Sequence, residues 1–212
     1  PSIGSGLVFP VSEEDIMIDP IMIEDHWPRI AAIDFGWDHP TAMVWCAVDN
    51  ESETFYIYDC YRASKASPTV HAQNIRMRPH FIPIAYPHDG NRRDSMGNPG
   101  LADQYRNLGC NFRLEHFTNP PPLGSIKGSN SIEEGLMAML QKIEAKKFKV
   151  FNTLGDWFEE FRMYHRKDGK VVPLRDDLLS ATRYAFQSQR FAVAGEDPSW
   201  TADVEYRNYG IV

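Results

Sequence analysis

The sequence predicts an α/β fold built on a mixed five-stranded sheet, with strands one to three antiparallel, strands four and five parallel, and helices on the flanks. Three observations predict it. Residues 29–49 hold two apolar runs of strand length, 30–33 and 41–48, joined by a short connection with Gly36 and Pro40, which reads as a buried hairpin. Residues 53–62 then alternate aromatic and β-branched side chains after the turn residues of 49–52, extending the hairpin to a meander. A helix and a short apolar run at 81–86 follow, and a strand reached through a helical crossover is expected to lie parallel to the first.

The remaining elements follow in chain order. Residues 1–28 mix Gly, Ser, Pro and acids with scattered Ile and Met, which reads as a linker or an extended arm on the surface. Their polar, cap-free start suggests a fragment preceded by further chain. Ser67-Pro68 opens a helix to about Met77, with proline in its first turn. A polar loop at 90–100 leads to a helix at about 101–108, ended by Gly109, and to a short fifth strand at 111–114. Ser131 and Glu134 have capping-box spacing and open a helix with Ile132, Leu136, Met139, Leu140 and Ile143 on one face. Helices at 154–164 and 175–187 enclose a polar hairpin at 165–173, and residues 188–212 lose periodicity and read as a tail. The domain is therefore expected to span 29–187.

The totals set bounds. At 212 residues, 42% hydrophobic and 12% aromatic, the chain can bury the core of one ordered domain. No run approaches the roughly 20 apolar residues that cross a bilayer, so no membrane partner is expected. Cys46, Cys60 and Cys110 lack C-x-x-C spacing and read as buried free thiols of a reducing cytosol. The net charge of −7 argues mildly against a nucleic-acid partner. That argument weakens because many acids sit in the two ends, and carboxylates that hold cations stop acting as bare negative charge.

Asp34 is the anomaly. A carboxylate at the end of a buried strand costs several kcal/mol unless it is paired or holds a metal; the plainer role is to cap the turn by accepting from Gly36 or Trp37. Asp38, inside the turn, fits the plain role better. Asp89, after the fourth strand, would leave the sheet at the same edge as Asp34, the edge where open sheets build sites. Asp176 and Asp177 start the last helix, where acids are also favoured by capping and the helix dipole.

Taken together, Ile-Asp-Phe-Gly (33–36), Tyr-Pro-His-Asp-Gly (86–90) and Arg-Asp-Asp-Leu-Leu-Ser-Ala-Thr-Arg-Tyr-Ala (175–185) resemble the three acidic motifs of the nuclease domain of tailed-phage terminase large subunits. These belong to the ribonuclease H-like superfamily (RuvC and retroviral-integrase type) and act in headful DNA packaging. The resemblance covers roughly 29–187, and its last motif is the most specific. Family members often carry a further acid where this chain has Ser180, which bears on the ligand set of a second ion. The ATPase domain of the packaging protein would precede this segment, because no G-x-x-x-x-G-K-[ST] loop occurs here.

The resemblance implies a metal-dependent endonuclease acting on concatemeric double-stranded DNA, with a portal protein and a terminase small subunit as partners, in the host cytoplasm. Two Mg²⁺ or Mn²⁺ ions, hard cations that take oxygen ligands, are the implied cofactors. Asp34 would bridge both, with Asp89 on one and Asp177 on the other. Asp177 is preferred to Asp176 because it adjoins Leu-Leu in the motif, and Asp176 would cap or assist. Arg92, Arg93, Lys127, Arg166, Lys167 and Lys170 are candidate contacts to the DNA backbone, and His88 and His165 candidate helpers. The competing readings are a non-catalytic docking module for the portal, a role the aromatic tail (Trp200, Tyr206, Tyr209) would also suit, and an actin-like or sugar-kinase ATPase.

Overall fold

The computed structural model describes residues 5–91 and 99–195. Strand β1 (Ser5–Leu7), a 3-10 turn (Glu13–Asp15) and β2 (Met17–Ile18) precede the expected meander of β3 (Arg29–Asp34), β4 (Thr41–Asp49) and β5 (Thr54–Ala63). Helix α1 (Pro68–Ile75) crosses over to β6 (Ile84–Ala85), which pairs in parallel with β3. Helices α2 (Leu101–Asn107) and α3 (Ile132–Glu144) lead to β7 (Phe148–Phe151), and α4 (Gly155–Met163) to the hairpin β8 (His165–Lys167) and β9 (Lys170–Val171). Helix α5 (Asp177–Gln187) and a 3-10 turn (Gln189–Phe191) follow.

The main sheet has six strands, in the order β2-β7-β5-β4-β3-β6, rather than five. The strand expected at 111–114 reduces to one bridge, Ile84 to Phe112. Around that bridge Ile84 N–H donates to Asn111 O at 2.9 Å and Arg113 N–H to Ile84 O at 3.0 Å, and beyond it the carbonyls of Phe112, Arg113 and Leu114 accept from the Arg106 guanidinium rather than from a strand. The sheet instead grows at its other edge. There β7, four residues too short to stand out in the sequence, pairs in parallel with β5, and β2 pairs with β7. Residues 5–28 also contribute to the core, with Val8, Phe9 and Ile16 buried.

Alternation along β3 and β4 divides the interior into two layers. Ile30, Ala32, Val44 and Cys46 face α3, α4 and α5, whereas Ala31, Ile33, Met43 and Trp45 face α1 and α2. Strand β5 breaks the alternation. Trp45 pairs with Asp59 but Cys46 pairs with Ile57, so Tyr58 is the extra residue of a β-bulge. Phe55 and Ile57 face the α5 layer before the bulge, and Cys60 packs there after it. The bulge therefore turns Arg62, and not Tyr61, toward α4.

Local signals largely hold. Ser131 Oγ accepts from Glu134 N–H at 3.3 Å, while the Glu134 carboxylate accepts from Ser129 Oγ rather than from the cap residue. Gly109 adopts φ +80° after α2, with Cys110 N–H on Tyr105 O at 3.0 Å and Gly109 N–H on Arg106 O at 2.9 Å. No helix among the described residues is long and apolar enough to cross a membrane.

An aromatic wall joins the sheet to the α5 layer: Phe55 stacks on Phe148 at 5.6 Å and meets Phe186 edge-on at 5.2 Å. Phe148 is fully buried, so Phe148→Ala should destabilise the domain by about 3–5 kcal/mol. Urea denaturation checks this, and a loss under about 1 kcal/mol would mean that the wall does not hold the layers.

Candidate metal centre

Four carboxylates meet at one edge of the sheet. Asp34 ends β3, and Asp89 lies in a 3-10 turn (His88–Asn91) directly after β6. Because β3 and β6 are parallel neighbours, both acids leave the sheet at the same edge. Helix α5 packs across β3 and β4 and begins at that edge, which brings up Asp176 at the cap position and Asp177 as the first helical residue.

Neither of the plain roles is filled by the acids themselves. The turn after β3 is closed by Thr41, whose Oγ1 accepts from Gly36 N–H at 3.2 Å and donates to Gly36 O at 2.9 Å. Asp176 makes no side-chain cap bond to α5. That cap comes from Glu160 of α4, a residue not singled out in the sequence because it lies within an ordinary helical pattern. Glu160 Oε2 accepts from Leu178 N–H at 2.7 Å and Leu179 N–H at 3.3 Å, and its Oε1 accepts from Arg62 Nη1 at 3.1 Å. Arg62 also holds Asp156 and Glu159. Since Glu160 satisfies the helix N-terminus, the carboxylates of Asp176 and Asp177 are left for another use.

Two glycines fit the backbone to this edge. A Cβ on Gly36 would come within 2.4 Å of His39 O, and one on Gly90 within 2.6 Å of the Phe35 ring. His39, also missed in the sequence, stands beside Asp176 and Asp177 and opposes the upward shift of each. With Asp38, Asp177, Arg62 and Arg175 it lines a cleft of about 400 Å³.

Burial, followed by Asp177, Asp89 and Asp176 in turn, pushes Asp34 from 3.8 up to about 7; a hydrogen bond from Tyr184 opposes the shift. Asp176 and Asp177 are also raised, in both cases chiefly by burial. A cluster of like charges of this kind is relieved by a cation, and an all-carboxylate donor set suits a hard divalent ion. Among the described residues no three Asp, Glu, His or Cys side chains stand close enough together to hold an ion between them. The residue types and their convergence fit the ion.

The other expected residues fall in several places. Lys127, Lys167 and Lys170 are exposed. Arg166 is paired, both its Nη atoms holding Glu133 at 2.7 Å at the surface. His88 is exposed beside Asp89 and meets His116 edge-on, whereas His165 is tied through Nδ1 to Met163 O at 2.7 Å. Ser180 N–H donates to Asp176 O, placing a neutral hydroxyl one turn along α5 where family members often carry an acid. Arg92, Arg93, Trp200, Tyr206 and Tyr209 lie outside the described residues.

A mixed sheet with acids after two adjacent parallel strands, and a third set on the helix crossing them, defines a ribonuclease H-like domain with a carboxylate site. Residues 31–189 match the family described as terminase RNaseH-like domain, and the chain belongs to that family. It is 37% identical over 193 residues to the terminase large subunit of Salmonella phage P22, and 36% identical over 187 residues to that of Enterobacteria phage LP7. These matches cover 91% and 88% of this chain but 38% of either relative, so the chain spans well under half their length. The solved P22 large terminase nuclease domain superposes with a TM-score of 0.81 at 36% identity, over 91% of this chain and 97% of that one. The large terminase of a thermophilic bacteriophage shares the fold at 12% identity, with a TM-score of 0.67 over 89% of this chain and 46% of that one.

Two outcomes follow from the electrostatics. Between about pH 4 and 7 the unfolded chain has lost the Asp34 proton that the folded chain keeps, so stability without divalent ions falls as pH rises through that window. Asp34→Asn should therefore melt several degrees above wild type at about pH 8 in chelator, and level with it near pH 4; equal melting temperatures at both would remove the claim. Glu160→Ala leaves two buried N–H groups without their acceptor and takes one of three carboxylates from Arg62, and should cost about 3 kcal/mol, with Glu160→Gln, which keeps an acceptor oxygen, losing less in chemical denaturation.

Proposed function

We propose that this domain is the metal-dependent endonuclease of a phage DNA-packaging terminase, cutting concatemeric double-stranded DNA with little sequence preference. The observation that carries the reading is the meeting of Asp34, Asp89, Asp176 and Asp177 at one sheet edge, with Asp34 held far from its ordinary ionisation. Kinship with the P22 nuclease domain supports the reaction class.

Asp34, Asp89 and Asp177 are the residues assigned to hold two divalent ions, Mg²⁺ or Mn²⁺, with Asp176 beside them. When bound, such a pair activates the attacking water, neutralises the phosphate and stabilises the leaving oxygen. The chain's own part is orientation. Glu160 sets the start of α5 and with it Asp177, and α5 also brings Tyr184 beside Asp34. Lys127, Lys167 and Lys170 are the described cations offered for the DNA backbone, and phosphate contacts fix register without reading sequence. An ATPase domain in the rest of the polypeptide, a portal protein and a small subunit complete the proposed assembly, working in the host cytoplasm.

Cleavage of supercoiled plasmid by this chain should require Mg²⁺ or Mn²⁺, stop in chelator, and fall to background in Asp34→Asn and Asp177→Asn. If wild type cuts with neither ion and calorimetry detects no ion binding, the reading is wrong and the docking module takes its place.

A further inference from the structure

A second cleft, of about 310 Å³, opens on the other side of Asp89. Its walls are aromatic and apolar, with Phe35, Trp37, Leu101 and Tyr105, and His71 and Asp89 add polar groups. Phe35 and Tyr105 stack at 5.8 Å and form a rigid wall. Trp37 is 59% exposed, although a tryptophan in a folded domain is ordinarily well covered. It is held outward by its backbone: Gly36 before it tolerates no Cβ, and Trp37 O accepts from Lys65 N–H at 2.9 Å. His71 is 2% exposed, with Nδ1 in a hydrogen bond to Tyr61 Oη at 3.0 Å.

We propose that this cleft takes one nucleobase unstacked from the strand being cut, with the Trp37 indole stacking on its face. The inference rests on the nuclease reading, since Asp89 is shared between the cleft and the carboxylate site. A base is flat, with a π-face for the Trp37, Phe35 and Tyr105 rings, and its own phosphate would then lie at the carboxylates. An acidic peptide would be repelled by Asp89, and a purely aliphatic group would leave the exposed face of Trp37 without a stacking partner. A paired base in a duplex cannot reach such a cleft without leaving the stack, which costs least where pairing is already broken. The domain should therefore favour DNA with a mismatched or unpaired stretch at the point of cutting.

The test uses a duplex with a short unpaired bubble carrying 2-aminopurine, compared with the fully paired duplex. With Ca²⁺ in place of Mg²⁺, a hard cation that can fill the carboxylate site while the strand stays uncut, wild type should quench the 2-aminopurine on binding. In Trp37→Ala the quench should disappear and affinity for the bubble should fall by about tenfold, the usual scale for losing one stacking ring. Trp37→Phe should restore much of both. Ala66→Trp, which fills the cleft and leaves Trp37 in place, should abolish the quench as well. With Mg²⁺, wild-type KM should be lower for the bubble than for the paired duplex, and Trp37→Ala should raise the bubble KM while calorimetric ion affinity is retained. Wild type that cuts and binds ions, but shows no quench, or the same quench in both variants, overturns this inference alone. Wild type that neither binds ions nor cuts overturns the nuclease reading beneath it.

Discussion

The structure depends on a carboxylate buried where none would be chosen for stability alone. Glu160, fully buried, accepts from two N–H groups of the first turn of α5 and from Arg62. Replacing a buried ion pair with apolar side chains is often neutral or stabilising, so such pairs persist where position matters. Here the position is that of α5. A helix with its N-terminus satisfied by a neighbouring helix can place its own acids at the sheet edge, because those acids are not consumed as caps.

The same interaction explains why the bulge in β5 matters. Without the extra residue at Tyr58, the alternation begun by Phe55 and Ile57 would turn Tyr61 toward α4 and send Arg62 to the other face. One inserted residue thus decides whether Glu160 has its cation. The cation in turn fixes α5, and α5 brings Asp176, Asp177 and Tyr184 against Asp34. Stability and function are linked along this path, and Asp34 carries the cost. Burial, and after it three neighbouring acids, push its carboxyl up to about 7, so the site is suited to take up positive charge.

Much of this was legible in the chain itself. The meander, the crossover to a parallel fourth strand and the common edge of Asp34 and Asp89 followed from alternation, turn residues and the handedness of crossovers. The strand at 111–114 shortens to a single bridge on β6, and its local residue pattern carries no information about Arg106, whose side chain engages the carbonyls of Phe112, Arg113 and Leu114. Strand β7 was missed because four residues after a helix hold too little periodicity. The pairing of Arg166 with Glu133 was not legible because the two residues lie 33 positions apart.

The sequence by itself determined which carboxylates share an edge, because strand direction and alternation are local properties that accumulate along the chain. It also determined the family, through the motifs around Asp34, Asp89 and Asp177. Tertiary structure alone decided that Glu160 caps α5, that Arg62 faces it, that His39 stands beside Asp177, and that Trp37 overhangs a cleft shared with Asp89. Each of these depends on side chains far apart in sequence meeting across packed layers, and a one-residue bulge can reverse such a meeting without changing any local pattern.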